Sequence, residues 1–302
     1  MADTLIPTPL NKRSVRAAFG RAATSYDSAA VLQREVADRL IERLDLVKLD
    51  PECILDVGSG TGYCTRALTR RFPKARVLGM DIAPAMTAAA AHCGRRFFFW
   101  PGQGLRPRYV CGDAEFLPFA ARSVDLVISN LTLQWCHPDS AFAEFARVLR
   151  PGGLLMFTSF GPDTLRELRA AWFSVDKAAH VHDFIDMHDL GDALLRARFA
   201  EPVMDVERLT LTYAKVHDVL RDLKAVGAHN AALARPTGLT GKRRFADFRV
   251  AYEAMALADG RIPASYEVVH GHAWAREQQT DDRPTLGGVV AVPLTQFKRR
   301  GL

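Results

Sequence analysis

The sequence predicts an α/β protein with a doubly wound sheet of seven strands, mostly parallel, with the last strand antiparallel. Three observations predict it. A short apolar run, Ile54 to Val57, is followed by glycines at every second position, Gly58, Gly60 and Gly62, and then by a helical pattern from Thr65. Two later apolar runs end in an acid, at Asp81 and Asp113. Strand-like and helix-like stretches then alternate as far as Ser159, the pattern of a parallel sheet with crossover helices.

Taken in order, Lys12 to Phe19 reads as a helix that Gly20 to Asp27 breaks. Val31 to Leu44 reads as an amphipathic helix with Val31, Val36, Leu40 and Leu44 on or near one face. The Rossmann-like core begins at Cys53, past Pro51. Pro84 to His92 is a helix opened by proline in its first turn. Arg95 to Arg108, with four aromatics and four arginines, reads as a surface loop. Val124 to Ser129 is the fourth strand, Ala141 to Leu149 a helix and Leu154 to Ser159 the fifth strand. Helices are expected at Asp163–Trp172 and His188–Phe199, and strands at Val203–Tyr213 and Tyr266–Trp274. Between those strands, residues 214–261 form a helical cap with helices at His217–Val226 and Arg243–Ala258. Residues 1–275 thus make one domain with an N-terminal helical lid (about 11–45), and residues 276–302 a flexible polar tail.

Composition narrows the class. The chain of 302 residues is long enough for one large core with an insertion. It has no run of about eighteen apolar residues, so no membrane span is expected, and its first residues lack a signal pattern. Five scattered cysteines without a C-x-x-C pair favour free thiols in a reducing cytoplasm. A net charge of +6 permits an acidic partner without demanding nucleic acid. The pairs His180/His182 (with His188) and His270/His272 lack a completing carboxylate or cysteine, so no metal is expected.

The glycine spacing is G-x-G-x-G, which differs from the G-x-G-x-x-G of dinucleotide sites. Glycines let a ligand approach the backbone, and the helix start beyond them offers unpaired N–H groups. Asp56, at the end of the first strand, would repel a pyrophosphate but suits an ammonium group. Asp81 stands where such folds accept both ribose hydroxyls, and Asp113 can accept from an adenine amino group. The ligand these acids imply is S-adenosylmethionine.

With those motifs in place the chain resembles class I S-adenosylmethionine methyltransferases. Five segments resemble the malonyl-acyl-carrier-protein O-methyltransferases of biotin synthesis: Ala18–Tyr26, Leu32–Arg34, Ser129–Cys136, Leu223–Ala228 and Pro263–Val269. The resemblance implies that Asp56, Gly58, Ser59 and Gly60 lie at the methionine end, Asp81, Ile82 and Met86 at the ribose side, and Asp113 and Ala114 at the adenine. It also implies that Asn130, Leu131, Gln134 and Trp135 line the methyl side under a lid closed by Tyr26. The implied reaction moves a methyl group to the free carboxylate of malonyl-acyl carrier protein, or of malonyl-coenzyme A, with S-adenosylhomocysteine as product. A carboxylate is ionised at neutral pH, so no general base is needed. Positioning candidates are Tyr26, Gln134, Trp135, Arg169 and Lys224, and Arg221, Lys224, Lys242, Arg243 and Arg244 would form a basic rim for an acidic carrier. Two other readings compete. Phe160–Leu168 also resembles methyltransferase-like hydroxylases or assembly factors of a respiratory complex. A nucleic-acid methyltransferase would need an Asn/Asp-Pro-Pro-Tyr-like motif after the fourth strand, and none is there.

Overall fold

Short apolar runs rich in Val, Ile and Leu, buried on both faces, are what parallel strands require; the first, second and fourth strands have that composition, while the third, at the sheet edge, is only partly buried. In the computed structural model, which describes residues 10–97, 105–232, 238, 240–277, 285–286 and 289–290, the chain opens with α1 (Lys12–Ala22), α2 (Tyr26–Ala29) and α3 (Val31–Glu42). The core follows as β1 (Cys53–Val57), α4 (Tyr63–Arg71), β2 (Arg76–Asp81), α5 (Pro84–Phe97), β3 (Arg108–Cys111), β4 (Val124–Ser129), α6 (Pro138–Val148) and β5 (Leu149–Phe160). It continues with α7 (Arg166–Phe173), α8 (Met187–Arg196), β6 (Phe199–Tyr213), α9 (Val216–Ala225), α10 (Lys242–Glu253) and β7 (Ile262–Ala275).

The strands form one seven-stranded sheet in the order β3-β2-β1-β4-β5-β7-β6. β1 to β5 pair in parallel, and β7 runs antiparallel between β5 and β6. The order reverses between β1 and β4, and ligands of such sheets bind outside the carboxyl ends at that switch point. Both faces are covered. Phe142, Phe145, Phe157 and Phe199 pack beneath α6 and α8 on one side, and Leu40, Ile54, Leu68 and Leu126 beneath α3 and α4 on the other. The cap helices α9 and α10 share a core with α3, α7 and β7, in which Trp172 is stacked between His180 and Phe248 at ring distances of 3.8 and 4.1 Å.

Several boundaries differ from expectation. Gly20 does not break α1, which runs on to Ala22. In α3, Leu32, Val36, Ala37 and Leu40 are buried, while Val31 is 56% exposed. α5 extends to Phe97, so the start of the expected Arg95–Arg108 loop is helical, and residues 98–104 lie outside the described residues. β5, β6 and β7 begin earlier than expected because Pro151, Pro202 and Pro263 fall inside their first residues. Proline is tolerated at strand starts and bulges, and the β6–β7 register shifts between Ala200 and Val203, around Pro202. α7 starts only at Arg166, after a turn in which Gly161 and Leu165 donate to the Glu267 and Ser265 carbonyls. α10 ends at Glu253, short of Ala258. Of the expected flexible tail, Thr285–Leu286 pairs with Val289–Val290, and most of the rest lies outside the described residues. No helix of the described residues is long and apolar enough to cross a membrane. All five cysteines are unpaired.

Candidate active site

The turn after β1 is set by backbone sterics. Gly58 has φ +76°, and a Cβ there would stand 1.9 Å from Thr132 Oγ1, so only glycine lets β1 pass this close to the segment after β4. Gly60 has φ +52°, and a Cβ there would fill the space in front of the Tyr26 ring, 3.7 Å away. The expectation of unpaired turn amides is corrected in part. Gly58 and Ser59 N–H donate to the Met80 carbonyl (2.7 and 2.9 Å), Gly62 N–H to the Ser59 carbonyl and Gly60 N–H to Asp81 Oδ2 (2.9 Å). The amides of Gly58, Ser59 and Gly60 lock the turn onto β2 and that of Gly62 closes the turn on itself, so the turn's contribution to a ligand is shape.

A cavity enclosing about 610 Å³, part of it open to solvent, lies over this turn at the switch point. Of the residues expected there, Tyr26, Gly58, Gly60, Asp81, Ile82 and Met86 line it. So do Asp113, Ala114, Asn130, Leu131 and Trp135. Asp81 is 8% exposed; its Oδ1 accepts from Ala83 N–H at 2.8 Å, and burial pushes its pKa up to about 6 despite the two amide bonds. Leu131 sits in the wall at φ +49°, its N–H held by Thr158 Oγ1 at 2.9 Å. A non-glycine residue there stores local strain, a common feature of site walls.

Five expected residues stand elsewhere. Asp56 is fully buried behind the turn, accepting from Thr65 Oγ1 at 2.5 Å, and burial pushes its pKa up to about 7. It braces the turn against α4 and does not line the cavity. Ser59 is buried with its hydroxyl unpartnered, also outside the lining. Gln134 lies in a short 3-10 turn that directs its Nε2 back to the Leu131 carbonyl at 2.6 Å. Arg169 clamps the turn before α7, donating to the Pro162 and Thr164 carbonyls at 3.0 and 2.9 Å. Lys224 is exposed and lines neither main cavity.

Sequence reasoning missed Lys12 and Thr132. Lys12, on the lid helix α1, ion-pairs with Asp113 Oδ1 (2.9 Å) and Glu115 Oε1 (2.8 Å) and lines the cavity. Burial opposes its charge, but Cys136, Glu115 and Asp113 outweigh burial and raise its pKa. The lid is held on its other side too. Asn11 N–H donates to the Ala231 carbonyl at 2.9 Å, and Ser25 Oγ to the Ala225 carbonyl at 2.9 Å.

Trp135 is shared with a second cavity of about 720 Å³. Its walls come from α3, the turn before α7, residues 180–184, β6, α9 and β7, and include Leu165 at φ +55°. Among the described residues no cluster of three His, Cys, Asp or Glu is placed to hold a metal ion.

The residues fit an adenosyl cofactor. The two glycines leave room where side chains would intrude, Asp81 keeps acceptor capacity beside the turn, and Tyr26 and the lid close the chamber. The comparisons agree. A family model described as a methyltransferase domain matches residues 55–157. A malonyl-[acyl-carrier protein] O-methyltransferase of Laribacter hongkongensis is 53% identical over 87% of this chain and 89% of its own length. One of the same description from Halorhodospira halophila is 50% identical over 96% of this chain and 97% of its own. Among solved structures, the YcgJ protein from Bacillus subtilis aligns with a TM-score of 0.56 at 16% identity, covering 79% of this chain and 98% of that one. That last likeness speaks to the fold alone.

Proposed function

We propose, on the premise that the chain belongs to the malonyl-[acyl-carrier protein] O-methyltransferase family, that it methylates the free carboxylate of a malonyl thioester. The observation that carries this reading is the extent of the match. A relative of 50% identity covers 96% of the chain, including the cap, whereas the general methyltransferase domain stops at residue 157. When bound, S-adenosylmethionine supplies an electrophilic methyl carbon, whose bond to sulfur breaks as a carboxylate oxygen attacks, leaving S-adenosylhomocysteine. Asp81 would accept from the ribose hydroxyls with the lone pairs that Gly60 and Ala83 do not use. Asp113 and Lys12 would close the adenine end, and Tyr26 would cover the methionine end.

On the Trp135 side the first cavity is walled by Asn130, Leu131 and Thr132. Asn130 is spent on scaffolding: its Nδ2 donates to the Gln33 carbonyl at 2.9 Å and its Oδ1 accepts from Thr158 Oγ1 at 2.8 Å. None of these is a base. The acceptor needs none, since a carboxylate with a pKa near 4 is already ionised. What the residues supply is alignment, which can contribute about 7–11 kcal/mol, and exclusion of water under the lid.

Acyl carrier protein as the donor of the malonyl group is part of this reading. Of the expected basic rim, Arg221 pairs with Asp218 and Arg244 with Asp176, while Lys224, Lys242 and Arg243 are exposed. Exposed cations steer an acidic partner without adding much affinity. The test is incubation with methyl-labelled cofactor and malonyl-carrier, malonyl-coenzyme A and acetyl-coenzyme A. Base-labile label should appear with the malonyl thioesters alone. Absence of label with both of them would overturn the reading.

A further inference from the structure

Two residues that line the second cavity carry a buried polar atom the protein itself does not use, the Gln33 Oε1 and the His182 Nε2, and of the two only the ring nitrogen can donate to an anion. His182 is 6% exposed and lines the cavity, and its Nε2 is buried with no hydrogen-bond partner. Buried ring nitrogens are normally bonded, and one left open in a cavity wall points to a ligand. The neighbouring His180 differs. Its Nε2 is bonded to Asp176 Oδ1 at 2.8 Å, its ring is stacked on Trp172, and Arg244 holds Asp176 in turn.

Resting on the methyl-transfer reading above, we propose that the second cavity is the acceptor site and that the His182 imidazole holds the free malonyl carboxylate beside Trp135. Position supports this first. The His182 ring lies 4.8 Å from Trp135 and 4.7 Å from Phe184, and Trp135 is the wall common to both cavities. A carboxylate bonded to His182 therefore stands at the partition, where the methyl side of the first cavity begins. Fixed aromatic neighbours hold the imidazole rigidly, so little order is lost when it binds.

Charge supports it second. Burial pulls the His182 pKa down to about 4; Asp183 opposes that shift and Arg169 adds to it. The ring is thus a neutral N–H donor at working pH. A neutral donor orients a carboxylate while leaving its charge available for attack, whereas a bidentate arginine would neutralise the nucleophile. Arg169 lines neither cavity; its two terminal nitrogens donate to the Pro162 and Thr164 carbonyls, and its buried Nε has no partner. The apolar walls at Phe160, Leu211 and Leu223 suit the uncharged part of the thioester.

The deciding measurement is calorimetric titration of the full chain, loaded with S-adenosylhomocysteine, with malonyl-coenzyme A and with acetyl-coenzyme A, which lacks the carboxylate. The wild type should bind the malonyl thioester at least about tenfold more tightly, the scale of one hydrogen bond to a charged group. In His182→Phe that preference should collapse to within about twofold, with cofactor-product affinity unchanged, while His182→Gln should restore most of it. A wild type without the preference, or a His182→Phe variant that keeps it, overturns the proposal. Ala228→Phe, which narrows the same cavity, tests the location independently. It should weaken both thioesters more than about tenfold by overpacking and leave the cofactor product alone; unchanged binding places the acceptor elsewhere. Failure of the function reading looks different, because the wild type would then transfer no label to any malonyl thioester.

Discussion

The two cavities that meet at Trp135 are built in opposite ways. The first is walled by acids whose oxygens are already bonded: Asp81 to the Gly60 and Ala83 amides, Asp113 to Lys12 and the Glu115 amide. The second is walled by Phe160, Phe184, Tyr266 and aliphatic groups with a few polar side chains among them, and leaves His182 Nε2 and Gln33 Oε1 open. A chamber whose polar groups are fixed by its own backbone is preset in shape, so a ligand of many polar groups finds each partner in place. A largely apolar chamber with few open polar atoms sorts its ligands by few contacts. The first arrangement suits an invariant cofactor, the second an acceptor that has to be told apart from near relatives.

The largest expected effect comes from disturbing the preset chamber. Gly58→Ala combines a left-handed backbone with a clash against Thr132 Oγ1. The backbone costs about 1–2 kcal/mol and the overpacking about 1–3 kcal/mol more. Chemical denaturation should show this loss, and Thr132→Gly in the same chain should recover the overpacking share. No recovery would mean that Thr132 does not define the turn.

Next in size is Asp81→Ala. It should weaken the cofactor by about 2–3 kcal/mol, the range for bonds to a charged group, without altering binding of malonyl-coenzyme A in the second chamber. Calorimetry showing equal losses for both ligands would dissolve the distinction between the chambers.

The pH dependence of the unliganded protein should separate the chambers by sign. Burial raises Asp56 and Asp81 to about 7 and about 6 from an ordinary 3.8. The folded state therefore holds their protons more tightly than the unfolded chain, and they favour folding below pH 3.8. That contribution is lost as pH rises through 6 to 7. His182 is pulled down from 6.5 to about 4, so its contribution is present above pH 6.5 and lost as pH falls through 4. Asp56→Asn should flatten the decline with rising pH, and His182→Gln the decline with falling pH. Denaturation midpoints at several pH values read both slopes, and an unchanged slope in either variant removes that residue from the account.

Smallest is Lys12→Met. Its side chain is 29% exposed, so the ion pair with Asp113 is worth about 1 kcal/mol or less. Cofactor affinity should fall a few-fold at low salt, and high salt should narrow the gap between variant and wild type. A salt-independent difference would mean that Lys12 acts through packing of the lid.

The same contrast explains what the sequence made legible. The first chamber comes mostly from contiguous strand–turn–helix pieces, and periodicity with glycine spacing located Gly58, Gly60, Asp81 and Asp113 within it. Asp56 followed the same logic and still faces Thr65, because the pleat turns alternate side chains to opposite sides. Lys12 carried no local signal, since its partner is 101 residues away. Gln134 sits one residue from Trp135, and the 3-10 turn alone decides that the second lines the cavity and the first does not. The second chamber draws on seven separate stretches, and no window of sequence contains it. His182 therefore read as one histidine among several. In the fold, Pro151, Pro202 and Pro263 stand among the first residues of β5, β6 and β7, ahead of the alternating runs that mark these strands in the sequence.

The cap enters and leaves the sheet at Tyr213 and Ile262, which are partners in the β6–β7 ladder. Antiparallel partners keep their Cα atoms about 5 Å apart, so the gap the insertion has to bridge is fixed by the sheet and not by the cap. Each doubling of such a loop costs only about 0.6 kcal/mol in closure entropy. Lengthening or shortening the segment thus leaves the sheet nearly untouched, provided that the lid keeps its anchors at Ala225 and Ala231. This junction lets natural variation or an engineer change what the fold accepts while the sheet beneath the methyl-donor chamber stays as it is.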